Sequence, residues 1–131
     1  MATARKKEGT KTVADVLGAC VRGRRGDLGL SQVELAGLMS ERRGHRWTHG
    51  TVSRIETGQA EPTLSELVSL MLTLRSSFAE LVDTVRAGNE PVDLGLGHPV
   101  EAEDARAYLT GDYEAWRRGP DDTWIPIRKG E

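Results

Sequence analysis

Three times in this chain a Ser or Thr stands three residues ahead of a Glu at the head of an apolar run: Ser31 with Glu34, Thr63 with Glu66, and Ser77 with Glu80. In such a pair the hydroxyl accepts from the backbone N–H three residues on, and the carboxylate accepts from the N–H of the hydroxyl residue. Two amides that a helix start leaves without partners are thereby satisfied. Each pair therefore predicts a helix and where it begins, and the spacing keeps the helices short.

The apolar residues agree with this reading. Val13, Val16, Leu17, Cys20 and Val21 form one stripe of a helix beginning at Thr12, ended by Gly26 and Gly29. Behind Ser31, the residues Leu35, Ala36 and Met39 give an inner face. The segment 41–47, ERRGHRW, is a basic connection. Thr48 then caps a short helix from His49 to Thr57, with Trp47 and Val52 placed as a hydrophobic staple and Gly58 as a left-handed terminator. Pro62 and the Thr63 cap open a fourth helix with Leu64, Leu67, Val68, Met71 and Leu74 inward. Leu70 and Leu72 make this helix apolar almost all round. A fifth carries Phe78, Leu81, Val82 and Val85 to about Arg86. Five short helices without a convincing strand pattern predict a compact all-α domain over residues 12–88.

The flanks differ in character. Residues 1–11 hold Arg5, Lys6, Lys7 and Lys11 with no hydrophobic period, which predicts a disordered basic arm. Residues 89–131 read as a Pro/Gly linker, one acidic helix from Glu101 to Leu109, and an irregular tail. Ile125-Pro126-Ile127 is its one candidate edge strand. Four of the six aromatic residues, Tyr108, Tyr113, Trp116 and Trp124, fall there, in a segment too short for a core of its own.

Charge separates the halves. Met1 to Gly58 carries 11 Lys/Arg against 6 Asp/Glu, whereas Gln59 to Glu131 carries 7 against 14, within a net charge of −2. A basic half suits a polyanion and an acidic half limits unspecific adhesion to it. The single Cys20 excludes a disulfide framework and a four-thiolate metal site. No apolar run nears the roughly 20 residues of a membrane span, and the basic start has no apolar segment of a secretory signal. There is no glycine-rich phosphate loop, no nucleophile elbow and no carboxylate pair with a supporting histidine. The reading is a cytoplasmic protein that is not an enzyme and needs no cofactor or metal.

The stretch Thr51-Val52-Ser53-Arg54-Ile55-Glu56-Thr57-Gly58, with Gly29-Leu30-Ser31-Gln32 and Leu35-Ala36 upstream, resembles the helix-turn-helix of the lambda-repressor/Cro-like (Xre) family of bacterial DNA-binding regulators. The resemblance extends over residues 13–86. It implies a five-helix lambda-repressor-like domain that binds double-stranded DNA as a homodimer, associates with the nucleoid and regulates transcription, with repression the expected outcome.

It also implies site residues. The helix from His49 would lie in the major groove, presenting Thr48, His49, Gly50, Thr51, Ser53 and Arg54, with Arg54 suited to bidentate bonding to guanine. Gln32 corresponds to the family's phosphate-gripping glutamine at the second helix's first turn. Glu56, out of place against phosphates, corresponds to an acid that pairs with a first-helix arginine, here Arg25. Ser31 and Thr51 are further apart than in the family pattern. That places an insertion in Glu41–Trp47, whose Arg42, Arg43 and Arg46 either reach the sugar-phosphate backbone or belong to a longer second helix. An alternative reading gives residues 89–131 to a protein partner, as in an antitoxin or a co-regulator.

Overall fold

The computed structural model describes residues 10–82, 90–95, 98–122 and 124–130. The chain divides into two compact units. One is Ala14–Leu81; the other holds the described residues of Met1–Val13 and Val82–Glu131.

The first unit is helical, with α1 (Val13–Asp27), α2 (Gln32–Arg43), α3 (His49–Glu56), α4 (Leu64–Thr73) and α5 (Phe78–Val82). The capping residues act as the sequence predicts. Glu34 N–H donates to Ser31 Oγ and Ser31 N–H to a Glu34 carboxylate oxygen, both at 3.0 Å. Thr63 and Glu66 repeat the exchange at 3.2 and 2.8 Å. At α5, Ser77 Oγ accepts from Glu80 N–H, and the Glu80 carboxylate accepts from the Ser76 hydroxyl. Ala14, Val16, Leu17, Cys20 and Val21 of α1, Leu35, Ala36 and Met39 of α2, Val52 and Ile55 of α3, and Leu70 and Leu74 of α4 are buried. Each large side chain fully withdrawn from water contributes about 1.5–3 kcal/mol of burial energy.

Three expectations are corrected here. The first helix begins after Thr12 and runs through Gly26 to Asp27. In the fourth helix Leu64 is 79% exposed and Val68 and Leu72 also face outward, while Ser69 is buried with Leu70 and Leu74. A helix apolar all round carries no phase of its own. Its rotation is set by packing on α2, where Arg42 Nε donates to Thr73 Oγ1 and Arg43 Nη1 to Ser69 Oγ. The basic connection is also shorter than 41–47, as the alternative of a longer second helix has it: α2 takes up Glu41, Arg42 and Arg43 and ends at Gly44. The expected run of α5 to Arg86, with Val85, lies outside the described residues.

The second unit is not a linker with an irregular tail. β1 (Lys11–Thr12) runs parallel to β2 (Val92–Asp93), which is antiparallel to β3 (Pro99–Val100). Lys11 lies opposite Val92, and Val92 opposite Val100. After α6 (Ala102–Thr110) comes a hairpin of β4 (Tyr113–Arg118) and β5 (Trp124–Arg128), closed by a 3₁₀ turn at Pro120–Asp122. Thr10, Val92, Val100, Ala102, Ala105, Ala107, Ile125 and Pro126 are buried. The end of the supposed arm, Thr10 and Lys11, is thus part of folded structure, and residues 1–9 lie outside the description. Small sheets therefore accompany the helices.

Candidate nucleic-acid interface

The short helix α3 is positioned from three sides. On α1, Gly18 sits so close to α3 that a Cβ there would run into the carbonyl oxygens of Ile55 and Glu56. Before α3, the hydroxyl of Ser40 accepts from Trp47 N–H at 2.8 Å while donating toward the carbonyls of Ala36 and Trp47. This fixes the turn between the two helices. After α3, Gly58 adopts φ +76°, the left-handed conformation, and a Cβ there would meet the Asp15 carboxylate. Gly18 and Ser40 were not singled out from the sequence. The only signal for Gly18 was its place on the apolar stripe between Leu17 and Cys20, and a serine inside a helix gives none.

Arg25 and Glu56 come together in a two-pronged ion pair, Nε to one carboxylate oxygen at 2.6 Å and Nη2 to the other at 3.0 Å. The remaining Arg25 nitrogen, Nη1, donates to the Leu30 carbonyl at 2.8 Å. The Glu56 side chain is only 2% exposed. Hydrogen bonding to Glu56, opposed by partial burial and reinforced by the charge of the carboxylate, raises the Arg25 pKa above its ordinary value. One guanidinium therefore joins α1, the loop before α2, and the C-terminal turn of α3. A carboxylate so enclosed faces the scaffold and adds little repulsion to the outer face.

That outer face carries the residues expected to meet DNA. Thr48, His49 and Arg54 are exposed, and Gly50, Thr51 and Ser53 are half-buried. Thr48 and Thr51 form a reciprocal cap, Thr51 N–H to Thr48 Oγ1 at 3.2 Å and Thr48 N–H to Thr51 Oγ1 at 3.4 Å. Thr51 thus plays the part that Glu plays in the other helices, without placing a negative charge on this surface. A Cβ on Gly50 would lie 3.4 Å from Arg54 Nη1. The guanidinium of Arg54 therefore leans back one turn over Gly50, toward the helix N-terminus, as helical side chains do.

Two expected residues sit differently. Gln32 is at the first turn of α2, but its Nε2 donates to Glu56 Oε1 at 3.1 Å, so its amide is oriented by the buried acid rather than extended freely. Arg43 is half-buried and turned to Ser69, with Nε enclosed and without a partner among the described residues. The reason is the lengthened α2, which places Arg43 beside α4. Of the insertion's arginines, Arg46 is the exposed one that follows α2 and precedes α3. Among the described residues no cluster of His, Cys, Asp and Glu is suited to a metal ion, and no helix is long and apolar enough to cross a membrane.

Comparison with known proteins follows the same segment. The model of the helix-turn-helix domain family matches residues 16–84. Among solved structures, the chain is similar to the Clp gene regulator ClgR from C. glutamicum, at 28% identity over 53% of this chain and 82% of that one, with a TM-score of 0.47. No curated protein matches. With more than half of its length matched by that model, the chain belongs to the helix-turn-helix domain family.

Proposed function

We propose that this chain is a sequence-specific regulator of transcription that binds double-stranded DNA with α3 in the major groove. In this reading it works in the cytoplasm as a homodimer on two half-sites, and it represses by occupying the promoter. The observation that carries the reading is the division of α3. Val52, Ile55 and Glu56 are held inside, while Thr48, His49 and Arg54 are left outside on a surface free of acidic side chains. The major groove of B-DNA is about 12 Å wide and admits one helix. A guanidinium leaning toward the helix tip suits bidentate bonding to guanine O6 and N7, and the N-terminal turn of α2 with Gln32 suits a phosphate. Arg46 adds a phosphate contact beside the groove.

The test is selection of bound fragments from a random duplex library, followed by titration of the enriched site. A single enriched sequence with two-fold symmetry is expected. Arg54→Ala should weaken binding to it by roughly 1–3 kcal/mol and relax the preference at one base pair. Recovery of no preferred sequence, or an Arg54→Ala protein that binds the enriched site like the parent, would refute the reading.

A further inference from the structure

The outer face of α4 is apolar and left in water. Leu64, Val68 and Leu72 stand at i, i+4 and i+8, one stripe of the helix, and are 79, 43 and 60% exposed. The packing of the helical unit does not use them, since Ser69, Leu70 and Leu74 make the buried face. Leu38 of α2, also exposed, joins the stripe at its C-terminal end. There it lines an open hollow of about 420 Å³ together with Glu41, Arg42, Leu72, Thr73 and Arg75. A single exposed leucine is ordinary, whereas an aligned row beside a hollow marks a surface for association.

We propose that this stripe packs antiparallel on the α4 stripe of a second copy of the chain, about a two-fold axis at Val68. The stripe is its own complement. Leu64 and Leu72 lie equally far from Val68, about 6 Å along the helix at 1.5 Å per residue. The two-fold therefore brings Leu64 of one copy level with Leu72 of the other, at both ends of the contact. Leu64, the most exposed of the three, is then the knob, and the hollow beside Leu72 receives it. The charges select the same occupant. Glu61 stands seven residues before Val68, just ahead of the Thr63 cap, and Arg75 seven residues after it, just past the end of α4. Both are exposed, and neither side chain has an ion-pair or hydrogen-bond partner among the described residues. Arg75 lines the hollow, where Glu41 and Arg42 offset one another. Antiparallel packing sets the Glu61 end of one copy at the Arg75 end of the other, twice. A simply acidic or simply basic partner would match one end of the stripe and be repelled at the other.

This deepens the homodimer of the reading given above, on which it rests, and is tested without DNA. Sedimentation equilibrium of the full chain at tens of micromolar should show a dimer. Val68→Glu should weaken it on the order of a hundredfold, since two carboxylates would meet at the axis. Val68 lies at the surface of the single copy, so the fold should be kept, which circular dichroism checks. Glu61→Lys and Arg75→Glu should each weaken the dimer on the order of tenfold, because each sets like charges together at two places. Mixing these two variants, or joining both changes in one chain, should restore association, since opposite charges then meet again at both ends. A monomeric parent, a dimer indifferent to Val68→Glu, or a loss that neither mixing nor joining the charge changes repairs would each overturn the proposal. Binding of the Val68→Glu protein to a duplex carrying one half-site reports on the DNA reading alone, and it is expected to equal that of the parent.

Discussion

The two units of this chain are built on opposite plans. The helical unit fills its interior with large side chains: Leu35, Met39, Leu70 and Leu74 are all but fully buried. Its polar residues are left for the surface of α3. The second unit buries small or short residues, Val92, Val100, Ala102, Ala105 and Ala107, and leaves Trp116 and Trp124 about half exposed. Its strands are also joined over long distances, as with Lys11 and Val92, where the helical unit is organised by caps three residues apart. A small region with little interior to fill has few places to hide an indole. The lesson is that the interior is filled by large apolar side chains in the first unit and by small ones in the second, where the two indoles stay at the surface.

This contrast can be broken most forcefully at Leu35. Leu35→Ala should lower the stability of the helical unit by about 2–5 kcal/mol, read by chemical denaturation followed through Trp47, because the cavity sits among large neighbours. A loss well below that range would mean that the helices are held by something other than packing. Glu56→Ala comes next, at about 3 kcal/mol, since it strands Arg25 in a partly buried place and releases Gln32. It should weaken DNA binding as well as stability, although Glu56 faces away from the groove. Ser31→Ala should cost about 1 kcal/mol through the lost cap.

The same cap has a pH signature. Hydrogen bonds from the Ser31 backbone and then from its side chain lower the Glu34 pKa below the usual carboxylate value. A carboxylate whose folded pKa is depressed stabilises the fold above its unfolded pKa, and that contribution is lost as pH falls through the folded value. An NMR titration should therefore place the Glu34 midpoint below that of an unstructured glutamate, and Ser31→Ala should move it upward. The smallest effect belongs to the second unit. Lys11 and Glu90 approach only to 4.0 Å, with the Lys11 side chain a third exposed and that of Glu90 more than half, so Lys11→Ala should change stability by less than about 0.5 kcal/mol.

What could be read from the residues follows the same division. Caps and the 3.6-residue period are local, so α2, α3 and α4 were placed at their starts from Ser31, Thr48 and Thr63. The face of α4 was not, since Leu64, Val68 and Leu72 look as apolar as Leu70 and Leu74, and only a neighbouring helix distinguishes them. Of the strands, β5 is foreshadowed by Ile125-Pro126-Ile127, while β1 and β4 give no signal for a different reason. β4 is solvated along nearly its whole length and so has no alternation, and β1 is two residues long with a partner far away in the chain. At the candidate interface the identities of Arg54 and His49 were legible from their motif. The bond from Gln32 to Glu56 and the turning of Arg43 to Ser69 depend on where α2 ends, which no spacing reveals.

The arginines of the helical unit have a further consequence. Arg24 donates to the carbonyls of Leu74 and Arg75, Arg25 is held by Glu56 and Leu30, Arg42 by Thr73 and Arg43 by Ser69. Four of the eleven cations in the first half of the chain are thus occupied in mending the protein's own seams. Each phosphate neutralised on duplex DNA releases counterions and steepens the ionic-strength dependence of affinity by about 0.9 in a double-logarithmic plot. A tally of basic residues therefore overstates that steepness, which the remaining seven, Arg22, Arg46 and Arg54 among them, are left to set. The complex should tolerate brine better than its cationic composition suggests.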